Sequence, residues 1–231
     1  MTKNYPFTPV KRPSSGGGSA GLFDPFVFDP NVFLWWDFAD SGVYAGGDVT
    51  DKSGNNFDGQ ANAINGSPFL SSFPTNALQC AQAFGSDDFY TPTFGAFSYT
   101  MLWVINRTSP FGAENLAAGD LFPGSNDFRL RDTGSGYQHL GGSGTLTWSK
   151  DVSATAPSIG GIVYDGFFSE GYNVNGSAGA NVVGISSIVD FIFGTWGFSG
   201  GSWPGYIAEV VIWDTSLSGG PIEAAINQLG I

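Results

Sequence analysis

From Asn31 onward short apolar runs alternate with clusters of Gly, Asn, Asp, Ser and Pro, the pattern of strands broken by tight turns. It predicts strands at Val32–Phe38, Phe57–Ala63, Ala77–Phe84, Ser98–Asn106, Phe128–Arg131, Ile159–Tyr164, Tyr172–Val174, Ile188–Phe193 and Tyr206–Trp213. Several are apolar at every position, as in Thr100-Met101-Leu102-Trp103-Val104-Ile105, which fits strands covered on both faces within a sandwich of two sheets. Gly134-Ser135-Gly136 and Gly142-Ser143-Gly144 read as hairpin turns. One helical stripe stands out: Pro221 suits a first helical position, Ile222, Ala225, Ile226 and Leu229 share a face, and Gly230 suits the exit.

Residues 1–30 follow a different pattern. Pro6, Pro9 and Pro13 precede a Ser14-Ser15-Gly16-Gly17-Gly18-Ser19 stretch, then Phe23-Asp24-Pro25 and its echo Phe28-Asp29-Pro30. This reads as an extended arm, with the folded domain spanning residues 31–231. Its aromatic residues Tyr5, Phe7, Phe23, Phe26 and Phe28 suggest a strip that docks on a partner.

Charge sharpens the division. Of 231 residues only 12% are charged, and the net charge is −12. Lys3, Lys11 and Arg12 precede every acid, so residues 13–231 set five Lys and Arg against all twenty Asp and Glu, a net of −15. Such a body does not bind nucleic acid, which needs clustered cations. With 35 glycines and 16% aromatics the chain is too apolar for disorder and too rich in glycine for a helical bundle. Cys80 is the only cysteine, so no intrachain disulfide forms. No run approaches the eighteen apolar residues of a membrane span, and the N-terminus lacks the apolar run of a signal peptide. The expectation is folding in a cytoplasm without membrane insertion.

Four segments, in order, resemble the concanavalin A-like lectin/glucanase superfamily in its laminin G-like jelly-roll form. They are Leu34-Trp35-Trp36-Asp37-Phe38 with Asp51-Lys52-Ser53-Gly54-Asn55; Gly85-Ser86-Asp87-Asp88 leading to Phe97–Val104; Gly161–Gly166 with Tyr172-Asn173-Val174-Asn175-Gly176; and Pro204–Asp214 with Leu217-Ser218. The resemblance covers about residues 31–231 and implies an all-β, two-sheet antiparallel jelly-roll sandwich, here with an N-terminal arm and one short C-terminal helix. It says little about function, because lectins, hydrolases, adhesion modules and virion proteins share the fold.

The glucanases of this superfamily carry Glu-x-Asp-x-Glu on one strand face. None of Glu114, Glu170, Glu209 and Glu223 has a carboxylate two residues away, and the adjacent Asp87 and Asp88 read as a turn. His139, the only histidine, is a candidate triad member without a Gly-x-Ser-x-Gly elbow, and Cys80 reads as an inert thiol. Laminin G-like modules often hold calcium at the sandwich rim; Asp48, Asp51, Asn55 and Asp58 are the candidate ligands, against a turn whose side chains satisfy their own backbone. For sugars, which need exposed aromatic faces, the candidates are Trp196, Trp203, Trp148 and Tyr137, with Trp103, Trp213 and Trp35 or Trp36 assigned to packing.

The expectation is a non-enzymatic virion structural protein. It would be a bacteriophage head decoration protein, displayed on the virion surface as a homo-oligomer after folding in the host cytoplasm. Lys3, Tyr5, Phe7, Lys11, Arg12, Phe23, Phe26 and Phe28 would anchor it to a capsid or other virion protein. The alternative is a carbohydrate-binding module for host surface polysaccharide.

Overall fold

A computed structural model describes residues 23–38, 44–45, 48–61, 70–72, 79–83, 89–91, 98–107, 114–119, 129–141, 144–150, 152–153, 155–182, 191–193, 195–196, 201–202, 205–217 and 219–229. In chain order the first strands are β1 (Val32–Asp37), β2 (Tyr44–Ala45), β3 (Asp48–Val49), β4 (Gly59–Ala61), β5 (Leu70–Ser72), β6 (Gln79–Ala83) and β7 (Phe89–Thr91). Then come β8 (Tyr99–Arg107), β9 (Glu114–Gly119), β10 (Arg129–Asp132), β11 (Gly136–Gly141), β12 (Gly144–Ser149) and β13 (Pro157–Tyr164). The rest are β14 (Phe168–Asn173), β15 (Gly176–Val182), β16 (Phe191–Phe193), β17 (Thr195–Trp196), β18 (Gly201–Ser202) and β19 (Gly205–Trp213), followed by helix α1 (Gly219–Leu229).

Two antiparallel sheets form a sandwich. One has eight strands ordered β15-β14-β13-β8-β19-β6-β5, with β1 also on β19; the other has nine, ordered β12-β11-β10-β9-β16-β7-β4-β3-β2. β19 is the hub of the first. It pairs with β8 along its length, with β6 at Gly205–Ile207 and with β1 at Glu209–Trp213. The fold is the expected all-β jelly roll with one C-terminal helix.

The apolar run in β8 is explained by two cores. Met101, Trp103 and Ile105 point between the sheets, where they meet Leu34, Trp36, Leu130, Tyr137, Trp148 and Ile212. Leu102 and Val104 point the other way, into a second cluster with Trp35, Val211, Trp213, Ile222, Ala225 and Ile226. That outer face is covered by α1 and an N-terminal segment rather than by a sheet. Backbone also enters the core directly: a Cβ on Gly160 would lie 2.5 Å from the Trp103 ring and one on Gly171 2.4 Å from Trp148, so both indoles pack on bare strand.

That N-terminal segment corrects the arm boundary. Asp24 caps a 3-10 turn at Pro25–Val27, accepting from the Phe26 N–H at 3.2 Å. Phe23 and Phe26 both meet the Trp35 ring edge-on, Phe28 stacks on Phe23, and Thr215 Oγ1 donates to Asp29 Oδ2. Phe23, Phe26 and Phe28 therefore pack on this chain's own core, and burying apolar rings on Trp35 is reason enough for the fold-back. Lys3, Tyr5, Phe7, Lys11 and Arg12 lie outside the described residues.

Candidate functional site

The candidate calcium ligands form a closed turn. Asp51 Oδ1 accepts from the backbone N–H groups of Trp35 and Ser53 at 2.9 Å each. Its Oδ2 accepts from Ser53 Oγ at 2.6 Å and the Phe57 N–H at 3.1 Å. Asp58 Oδ1 accepts from the Asp51 N–H at 2.8 Å, while Asn55 Nδ2 donates to the carbonyls of Val32 and Phe33. Asp51 is buried and its oxygens are filled by donors, so the turn locks β1 to the following loop instead of presenting oxygen atoms to a cation. Asp48 lies in β3, its backbone paired with Ala45 and Gln60. Among the described residues no group of three or more His, Cys, Asp and Glu gathers to hold a metal.

Two of the four candidate sugar platforms are core residues. Tyr137 and Trp148 are 0% and 3% exposed, directly opposite each other on β11 and β12, and both rings pack against Trp103. The Tyr137 hydroxyl is hydrogen-bonded to Ser158 and the Trp148 indole donates to the Tyr172 carbonyl. Alternation along the strand drives them inward, so neither can offer a face to a ligand. Trp196 lies in the β17–β18 hairpin opposite Gly201, and Trp203 lies outside the described residues.

His139 is fully buried in the same layer. Its Nδ1 is 2.9 Å from Ser169 Oγ and its Nε2 3.2 Å from the Tyr99 hydroxyl. Desolvation holds the imidazole down to about 3, so it stays neutral. Ser169 is also fully buried, so this Ser–His contact is sealed from substrate and works as a core polar network. Below it Asp132, Lys150 and Arg107 form a second buried network: Lys150 Nζ reaches both Asp132 oxygens at 2.8 Å, and Arg107 Nη1 donates to the Asp132 carbonyl at 2.7 Å.

The fold does create one carboxyl pair that the linear spacing hides. Asp37 and Glu209 stand directly opposite on β1 and β19. Lys52 Nζ binds Asp37 Oδ2 at 2.8 Å and lies 4.2 Å from the centre of the Trp35 ring, while Glu209 Oε1 accepts from Trp35 Nε1 at 2.7 Å. Burial raises the Glu209 carboxyl well above its ordinary range, and Asp37 adds to the rise. Glu209 is only 8% exposed, on the face that also carries residues 23–28, so the pair fastens that layer.

What faces solvent is different in kind. On β10, β11 and β12 the residues between the buried ones point outward: Arg131, Gln138 and Thr147 form one cross-strand row, and Leu140 and Thr145 pair in the next. Thr145, Thr147 and Ser149 are exposed, and Arg131, Gln138 and Leu140 are half-buried. Guanidinium, amide and hydroxyl groups so aligned hydrogen-bond to hydroxyl-rich ligands. At the tip of β13–β14, Phe167 and Phe168 are 57% and 50% exposed. Sequence reasoning missed both features; the alternation of Tyr137 and His139, and of Leu146 and Trp148, with polar neighbours carried the first.

No protein-family model matches the chain, and no curated protein matches it in sequence. Solved structures do match. Domain 4 of an extracellular GH43 arabinanase from Geobacillus stearothermophilus, in complex with arabinotriose, superposes with a TM-score of 0.64 at 12% identity, covering 85% of this chain and 98% of that domain. The botulinum neurotoxin serotype D binding domain matches with a TM-score of 0.64 at 10% identity over 86% of this chain. The binding domain of Paraclostridial Mosquitocidal Protein 1 does so with 0.63 at 10% over 87%. The chain spans about half of each of these last two, 52% and 53%. Together with the strand order, these likenesses show a two-sheet antiparallel β-sandwich of the jelly-roll kind.

Proposed function

We propose that this chain is a carbohydrate-binding domain without catalytic machinery, engaging a glycan over the outward face of β10–β12. The observation that carries the reading is the open row of Arg131, Gln138 and Thr147, hydrogen-bonding groups in register on one sheet face. The arabinanase domain, which this chain covers almost completely, binds arabinotriose. The carboxyl groups of Asp37 and Glu209 are committed to Lys52 and Trp35, which argues against a hydrolase built on them. Trp196 and Trp203 are proposed to add ring faces to the same ligand.

Calorimetric titration with arabinotriose, alongside a glycan array, tests the reading. Saturable binding is expected, about tenfold weaker in Gln138→Ala with Thr147→Ala, a loss on the scale of a hydrogen bond or two. No reducing ends should be released. An array without a hit overturns the reading.

A second reading, anchoring of the domain to a virus particle through residues 1–22, is favoured by the opposite charge of Lys3, Lys11 and Arg12 to the acidic body. Co-sedimentation of the full chain with a shell protein at fixed stoichiometry in low salt supports it, and absence of the chain from intact particles purified in low salt opposes it.

A further inference from the structure

We infer that Phe167 and Phe168 form a sugar-stacking subsite for a neutral oligosaccharide, with the Asp165 carboxylate beside them accepting a hydroxyl. The inference rests on the carbohydrate-binding reading and places one of its contacts.

The two rings meet edge to face, with centroids 4.9 Å apart and planes at 86°, so the pair displays a ring face to solvent. They are among the few large apolar side chains exposed among the described residues, and they stand on a backbone turn fixed by hydrogen bonds. Asp165 Oδ1 accepts from the Phe167 and Phe168 N–H groups at 2.9 and 2.7 Å, and the Asp165 N–H donates to the Phe168 carbonyl at 3.1 Å. Gly166 turns the chain at φ +98°, and the Tyr164 hydroxyl donates to its carbonyl at 2.9 Å. A turn fixed at this many points spends little entropy when it binds.

Charge selects the occupant. Residues 151–231 contain seven Asp and Glu and no Lys or Arg, and Asp165 and Glu170 flank the tip. Such surroundings repel phosphate, anionic lipid and acidic sugars. A neutral sugar suits them: its C–H face packs on a ring while the second Asp165 carboxylate oxygen takes a hydroxyl. Asn181, beside the Phe168 partner Val182, donates to the Thr145 carbonyl at 2.8 Å, so β15 meets β12 at the edge of the sandwich that lies between the tip and the proposed binding face.

The test uses the full chain with arabinotriose and a panel of neutral oligosaccharides. Phe167→Ala with Phe168→Ala should weaken binding about tenfold, the loss of one stacking contact, at unchanged melting temperature. Phe167→Leu with Phe168→Leu should lose as much, because Leu keeps apolar bulk without a ring face. Wild-type binding that both double variants retain overturns the subsite and leaves the carbohydrate reading standing. A wild type that binds no sugar overturns both. Phe-dependent sedimentation with phosphatidylcholine vesicles, without Phe-dependent sugar binding, assigns the tip to a lipid surface and also overturns it.

Discussion

The Trp213 indole Nε1–H donates to the Pro25 carbonyl oxygen at 3.3 Å, joining residues 188 positions apart in the chain. The bond places residues 23–28 over Trp35 and Trp213 as a lid on the second core. Truncation therefore has a sharp threshold. A chain lacking residues 1–30 should lose stability relative to one lacking residues 1–22 and bind a hydrophobic dye. Phe23→Ala alone should cost about 3 kcal/mol, as for other buried phenylalanines. Equal midpoints for both truncations would remove the lid from the core.

Asp132 holds two cations in a space without water: Arg107, Asp132 and Lys150 are each 0% exposed. Asp132→Asn keeps the shape but leaves Lys150 and Arg107 without their counter-charge, and should cost about 3–5 kcal/mol in a urea titration. The variant should recover in part when Lys150 becomes Met, since one buried charge then goes as well.

Two buried groups give stability opposite pH dependences. His139 is held down to about 3 by burial, below the ordinary 6.5, so the unfolded chain takes a proton that the folded chain refuses. Its contribution is complete above pH 6.5 and is lost toward pH 3, at about 1.4 kcal/mol per pH unit. Glu209 is raised, by burial and then by Asp37, so the folded chain keeps a proton that the unfolded chain releases. Its contribution is complete below the ordinary 4.5 and fades as pH rises through the raised value. Glu209→Gln, which still accepts from Trp35 Nε1, should exceed wild type in stability at pH 8 and match it at pH 4. A constant difference between the two proteins across that range would refute the assignment.

A chelator should leave the melting temperature unchanged, because backbone and hydroxyl donors fill the Asp51 oxygens. Asp51→Ala, by contrast, strands the N–H groups of Trp35, Ser53 and Phe57 and should cost about 2–3 kcal/mol. A thermal shift on adding calcium would return the turn to the list of cation sites.

The sequence announced β8 and β19 within a residue of their ends, because strands covered on both faces are apolar throughout. The helix begins at Gly219, two residues before the predicted Pro221. β15, reading Gly176-Ser177-Ala178-Gly179-Ala180-Asn181-Val182, went unseen because small residues give no alternation. Tyr137 and Trp148 read as candidate sugar platforms, although Tyr137 lies near the start and Trp148 near the end of an alternating strand that turns them inward. Phe23, Phe26 and Phe28 looked like an arm because prolines and glycines surround them; Asp24 capping Pro25 was the local signal that the chain folds back. Phe167 and Phe168 stand next to an Asp-Gly turn, and only the tertiary structure shows that nothing covers them.

The hub position of β19 has a consequence for how this protein is made. Its neighbours β1, β6 and β8 all leave the ribosome about a hundred residues or more before it. Until Trp213 emerges, β8 stands with one edge unpaired and with Thr100–Ile105 bare, a β-prone stretch without charge. The nascent chain thus exposes an aggregation-prone strand during much of its synthesis, and arrest just short of residue 205 should yield aggregates where arrest downstream of α1 yields folded protein.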